Sequence, residues 1–509
     1  MKDGAPGSCR GVPVSCCFHH VFNCSGRTIK GQCFTVTQRL SRTSSRRTST
    51  LGPLRMVVST LHHSYDQDFQ FYLHLTVKLR NVRLVDVGKK EDQDEDPPPY
   101  KPIPPVCSIP RRLVISPTLG GTPVTPQLTE SFRRILFGGT FHVFNYEWRK
   151  SVFQFRQLNS ELSFALEMDT GGAQAVQMVV QARVIKHLLF SRQSSSDGRT
   201  LTSLITGQRD QERALAAALS ESLWLAGQEV STTVTLVTED YCITPHLDYK
   251  LDNFTERLQL FTFKEKEDVS KFILEHIQSF TEERSHGVIL FLYSLICSRT
   301  VDRLQEDLNS TTSHLLHLRL GDFVCRQALL NLLVTGRASP HVFNGTLYIG
   351  EDGLPLDRPL QGVLTRSDVG YLHWSREQME RGRLPQVVLL LPLVESVGSM
   401  LTPNVSVLSV GSMLKTPRFP VWLCSVDNSL SVMFSLNLSL VSDWRTERRF
   451  HLFLCSGMSA QQTAARLTVD THSHHWEASE AYGDSEKTFP SLDMTIRTKW
   501  DGAAVIWND

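Results

Sequence analysis

Asp169-Thr170-Gly171-Gly172-Ala173-Gln174, running directly into Ala175 to Phe190, is the stretch on which the reading of this chain turns. Two glycines close a turn. Behind it Val176, Val179, Val180, Val184 and Leu188 recur at the spacing of a long helix. A helix N-terminus behind a Gly-Gly turn offers close backbone approach, free N–H groups and the positive end of the helix dipole. A cysteine there would have a stabilised thiolate and could act as a nucleophile at neutral pH. The residue in that place is Gln174. Taken without context, Gly-Gly before a helix is a turn and nothing more.

Outward from this segment the texture is globular from about residue 111 to the end. Pro126 opens a short helix with Leu128, Phe132 and Ile135 on one face, closed by Gly138-Gly139. Gln208 to Ala226 and Glu265 to Thr281 read as amphipathic helices, and Ser231 to Val237 and Leu258 to Phe263 as strands. After residue 417 the pattern turns strand-rich: Phe419 to Cys424, Leu430 to Ser435, Phe450 to Cys455, Leu467 to Val469 and Met494 to Ile496. Helices first and strands later in one large unit indicate an α+β domain over 111–509. The apolar runs Val288–Cys297 and Val387–Val394 are too short to span a bilayer and read as core.

A net charge of +1 over 509 residues gives no reason to expect nucleic acid as a partner. Residues 1–56 read as a disordered basic, Cys-rich arm, and 57–88 as a small ordered element. Residues 89–110 form an acidic and Pro-rich linker in which Pro97, Pro98 and Tyr100 fit a Pro-Pro-x-Tyr ligand for WW domains. The blander reading of that motif is a stiff spacer. Five of the eleven cysteines crowd the first 33 residues in no zinc-like spacing. No clean signal peptide is visible, so reduced thiols and an intracellular setting, cytoplasmic, nuclear or both, are expected. The His-rich run Thr471 to Trp476 reads as a loop, and no metal or cofactor is expected. Val397 to Leu401 is repeated as Val410 to Leu414, read as a local duplication or an unspliced segment and not as a functional repeat.

Several ordered blocks together resemble the MINDY deubiquitinase family. The 169–190 stretch is similar to its signature, in which a glutamine precedes Gly-Gly-Pro-Cys-Gly and a helix. Leu136 to Trp148, Leu333 to Arg337 with Val342-Phe343-Asn344, Arg366 to Leu372, Leu414 to Pro420, Asp443 to Arg448 and Arg497 to Trp500 also match. The resemblance covers about 113–508 and is nearest the MINDY-four branch, particularly its inactive B-type form. It implies a papain-like, cysteine-protease-type catalytic domain. Segment 387–409 has no family counterpart and is expected to be an irregular insert.

Carried across, the family's nucleophile falls on Gln174, its oxyanion glutamine on Met168 and its base histidine on Ser429. A carboxamide has no thiolate, Met168 no donor and Ser429 no imidazole. The resemblance therefore implies that the chain is not an enzyme: a pseudoenzyme of ubiquitinyl hydrolases that cleave lysine-forty-eight-linked polyubiquitin, with ubiquitin or polyubiquitin as a retained partner. Two alternatives stand beside it, a residual ubiquitinyl hydrolase using another thiol and an adaptor working through the Pro-rich linker. Cys424 is expected to be an inert strand thiol, and Cys242 and Cys325 to lack activating neighbours.

Overall fold

The computed structural model describes residues 109–508 apart from 169–170, 192–199, 242–248, 309–311, 350–353, 376–408, 427–428 and 476–490. Residues 23–24 and 27–28 are also described, as a two-residue antiparallel ladder. The arm, the 57–88 element, the WW motif, Cys242 and nearly all of the 387–409 insert lie outside the described residues.

The helical part begins with α1, Pro126–Phe137. Thr125 caps it by accepting from the Leu128 N–H, and Gly138 ends it at φ 80°, a left-handed turn that suits glycine. A short α2, Tyr146–Lys150, is capped by Asn145. Then come α3 (Gln174–Phe190), α4 (Gln208–Ala226), α5 (Lys266–Glu275), α6 (Gly287–Arg299) and α7 (Gln327–Thr335). Helix α6 is buried on every side, which explains why Val288–Cys297 is apolar but for Ser294, whose hydroxyl donates to the Leu290 carbonyl. Among the described residues no helix is long and apolar enough to cross a membrane. Three strands, β1 (Thr122–Pro123), β2 (Thr232–Val237) and β3 (Leu258–Phe263), form a small antiparallel sheet in the order β1-β3-β2, with α6 against β2. A hairpin, β4 (Leu316–Arg319) and β5 (Asp322–Cys325), leads into α7.

The C-terminal half builds a six-stranded sheet in consecutive order: β6 (Gly370–Trp374), β7 (Val421–Val426), β8 (Ser429–Phe434), β9 (Arg449–Cys455), β10 (Ala465–His475) and β11 (Ala503–Asn508). Only β6 and β7 pair in parallel. Side chains alternate across the sheet. Leu423, Val432 and Phe434 join the core shared with the helices, while Trp422, Cys424 and Met433 join a second cluster on the opposite face. Helix α3 lies between the two halves, packed on α4 and α7 and on β7 and β8. These elements establish the α+β architecture.

Three expectations need correction. Met494–Ile496 is not a strand; it lies in a helix, α8 (Ser491–Arg497). Its Ile496, with Trp500, covers the second face of the sheet, and Asp493 pairs with Arg497 one turn on. Glu265–Thr281 is not one helix: α5 ends at Glu275, and a separate turn at Gln278–Thr281 re-aims the chain so that Phe280 is buried. Apolar spacing continues across the break, so periodicity alone could not reveal it. Finally, Thr471–His475 is strand and not loop, because β10 runs on past a register shift to pair His475 with Ala503.

Candidate functional site

The Gly171-Gly172 turn is set against strand β5 with no space to spare. Gly171 has φ 128°, and a Cβ on Gly172 would fall on the carbonyl oxygen of Phe323. That same carbonyl accepts a hydrogen bond from the Trp148 indole N–H at 2.7 Å. Asp322 then fastens the turn. One carboxylate oxygen accepts from the Gly172 N–H at 3.0 Å, and the other from the Asn145 amide at 2.6 Å and the Phe323 N–H at 2.8 Å. The Asn145 side-chain oxygen also caps α2, so turn, hairpin and α2 form one hydrogen-bonded unit.

Out of this unit rises α3, with Gln174 half-buried as its first residue. Two buried glutamines on the helix hold the segment that precedes it. Gln177 donates to the carbonyl of Val152, and Gln181 accepts from the Leu166 N–H while donating to the carbonyl of Phe164. Met168, also half-buried, rests against Gly457 beside Met178 of α3. Ser429 is exposed at the first position of β8, opposite Val426. The start of β7 sits at the other end of the helix, where Phe190 meets Phe419 at 5.6 Å and Lys186 lies 5.4 Å over the same ring. Gln174 opens α3 and Met168 lies beside Met178 one turn further along the same helix.

Cys325 belongs to the same neighbourhood, which the sequence did not reveal. Its thiol donates to the Gly172 carbonyl at 3.4 Å, two residues before Gln174. Strand β5 brings Cys325 to the turn, but none of these neighbours activates its thiol. Burial, and then the charge of Asp322, push the thiol well above its ordinary pKa. Cys424 is fully buried, and burial lifts its thiol to about 12, the state of an inert strand cysteine. Among the described residues no group of three or more His, Cys, Asp or Glu could hold a metal ion.

Beside this end of α3 lies a cleft of about 1070 Å³ lined by Tyr146, Arg149, Lys150, Met168, Arg284 and Gln462, among others. At the far end of the helix, Arg183, Lys186 and His187 gather on Glu221 of α4, and Arg183 also donates to the carbonyl of Leu333 at 2.9 Å. Burial alone would raise the Glu221 carboxyl. The charge of Arg183, the bond to His187 and the charge of Lys186 outweigh burial and hold it far below the usual range.

Comparison with known proteins adds the lineage. The family model described as "Deubiquitinating enzyme MINDY-3/4, conserved domain" matches residues 133–509. The mouse protein named "Probable ubiquitin carboxyl-terminal hydrolase MINDY-4" is 34% identical over 391 residues, 76% of this chain and 46% of that protein. Its human counterpart is 32% identical over 388 residues, with the same coverage. The Drosophila melanogaster "Ubiquitin carboxyl-terminal hydrolase MINDY-3 homolog" is 28% identical over 262 residues, 51% of this chain and 40% of its own length. The chain thus spans about half the length of the MINDY-4 proteins it matches. No solved structure matches it. These findings overturn the expectation that the chain is not an enzyme, because the relatives are named as hydrolases and nothing in the comparisons marks this member as inactive. The chain belongs to the MINDY-3/4 family of deubiquitinating enzymes, on the MINDY-4 branch.

Proposed function

We propose that the folded region recognises ubiquitin, alone or as lysine-forty-eight-linked chains, at the N-terminal end of α3 around Gln174 and Met168. In this reading Gln174, Met168 and Ser429 stand at the family positions of nucleophile, oxyanion donor and base in a papain-like catalytic domain. One observation carries it: a family whose matched members are named ubiquitin hydrolases, coupled to a hydrogen-bonded Gly171-Gly172 turn and helix N-terminus beside an open cleft. Recognition needs surface complementarity and a preorganised backbone, both of which are independent of the residue at position 174. The test is a fluorescence anisotropy titration of the full chain against lysine-forty-eight-linked ubiquitin chains, with the endpoint run on a gel. Saturable binding is expected, and a flat titration would remove ubiquitin from the account.

A second reading is hydrolysis through a thiol other than one at position 174: Cys325 contacts Gly172, while burial and the charge of Asp322, which hold its thiol protonated, weigh against it. A ubiquitin probe with a thiol-reactive C-terminus tests it. Labelling lost in Cys325→Ala supports this route; no labelling of the native chain excludes it. A partner with a WW domain, docked on Pro97, Pro98 and Tyr100, is independent of the folded site. It predicts that Tyr100→Ala abolishes capture of that partner. A cytoplasmic or nuclear setting goes with either reading.

A further inference from the structure

Four stretches of sequence that the α3 N-terminus leaves unused, Arg366 to Leu372, Leu414 to Pro420, Asp443 to Arg448 and Arg497 to Trp500, meet beside the second core cluster of the sheet. Arg366 joins the first three, because its guanidinium donates to the carbonyls of Thr416, Pro417 and Val441, the last just ahead of Asp443. The fourth enters through Lys499. Its ammonium lies 4.7 Å over the Trp500 ring and 3.4 Å from the Glu447 carboxylate. This place is at the end of α3 remote from Gln174, two residues from Asp368, which accepts from Lys186.

Positive charge collects here beyond its counterpart. Burial first, and then the nearby charges of Arg366 and Lys415, lower the Lys499 pKa against the pull of Glu447. Arg445 and Arg448 stand 5.7 and 5.6 Å from the centre of the Trp444 ring, and that residue is 66% exposed. Arg366, Lys415, Arg445 and Arg448 make no ion pair among the described residues. Of the acids nearby, Asp443 caps the short turn Trp444–Glu447 by accepting from the Arg445 N–H at 3.0 Å, Glu447 is held by Lys499, and exposed Asp501 follows α8. Arg418 is engaged by Asp368 at 3.4 Å, and Arg449 stands opposite Asp470 across the β9–β10 ladder. With all three acids counted against them, the five cations still leave a positive excess around an open aromatic ring.

We propose that this surface binds an acidic segment of a partner protein. Its carboxylates lie on Arg366, Lys415, Arg445 and Arg448, and a proline or apolar side chain packs on Trp444. The proposal is independent of the ubiquitin reading, since it uses no residue of the α3 N-terminus. Guanidinium forks match carboxylates in a bidentate way, and Trp and Arg are the residues that most often anchor protein interfaces. Single-stranded nucleic acid would need a track of open rings for successive bases, whereas Trp422 and Trp500 beside Lys499 are buried.

The experiment is anisotropy of a fluorescein-labelled peptide, glutamates on either side of a Pro-Pro pair, titrated with the full chain. Native protein should bind it saturably and lose affinity as salt rises. Arg445→Glu/Arg448→Glu should bind about tenfold or more weakly and Trp444→Ala about fivefold, with the control Arg303→Glu, exposed on the helical half, within about twofold of native. A peptide with lysine in place of glutamate should prefer the double variant to the native chain, which a merely unfolded variant could not reproduce. Unchanged affinity of the double variant overturns the proposal. So does displacement of the peptide by a lower concentration of a single-stranded oligonucleotide of equal charge, which assigns the surface to nucleic acid. A flat native titration overturns it too. If binding then appears once Glu91, Asp92, Asp94, Glu95 and Asp96 are changed to their amides, the occupant is this chain's own acidic run and not a partner.

Discussion

Gly172 carries the sharpest demand on a single residue, since a side chain there would collide with the backbone of β5 and not with something that can swing aside. Gly172→Ala should cost more than about 3 kcal/mol, among the largest effects of a single methyl, and a urea titration would read it. Two buried titratable residues set opposite pH responses. Burial first, then the charge of Asp252, raise Glu256 to about 7 from 4.5. Its folded form keeps a proton that the unfolded chain gives up, so its contribution falls as pH rises from 4.5 to about 7. Burial first, then the charge of Arg149, lower His286 to about 4 from 6.5. There the unfolded chain takes up the proton first, so stability falls as pH drops from 6.5 to about 4. Urea midpoints taken from pH 4 to 8 should therefore lose their decline on the alkaline side in Glu256→Gln; an unchanged profile would rule out the Glu256 contribution.

At the scale of elements, the β4–β5 hairpin acts as a brace for the α3 N-terminus through one carboxylate. Asp322→Ala leaves the Gly172 and Phe323 N–H groups and the Asn145 amide without their acceptor. The expected loss is about 2–3 kcal/mol, because hydrogen bonds to charged groups are the stronger kind. Limited proteolysis should then cut first near Gly171-Gly172; a native-like cleavage pattern would show that the turn holds without the brace. Most elements were legible before the fold was known. The α1 and α4 boundaries follow from Pro126, Gly138 and the apolar spacing of Gln208–Ala226, all local signals. Helix α8 was not legible. Met494-Thr495-Ile496 is short and β-branched, and its helical state depends on the sheet face that Ile496 covers.

Across the whole molecule, Glu221 links the helical half to the sheet half. It sits on α4, holds Arg183 and Lys186 of α3, and through Lys186 reaches Asp368 at 3.2 Å, just before β6. Glu221→Leu should cost about 3–5 kcal/mol, because it leaves buried Arg183 without an acidic partner and Lys186 with Asp368 alone. The triple change Arg183→Met/Lys186→Met/Glu221→Leu should recover much of that loss. Thermal melting of both variants would show it, and a triple variant no better than the single one would assign the loss to packing instead.

By itself the sequence determined the α+β class, the helix behind Gly171-Gly172, the strand-rich second half and the resemblance to the MINDY family. Each of these is written in neighbouring residues: caps, apolar periods and ordered motifs. The sequence also named Gln174, Met168 and Ser429. The fold alone set Met168 beside Met178 of the helix that Gln174 opens. It also decided that Asp322 and Cys325 meet Gly172 across about 150 positions of chain. No local pattern encodes such meetings, because they arise only when the hairpin and the turn pack around the same buried helix.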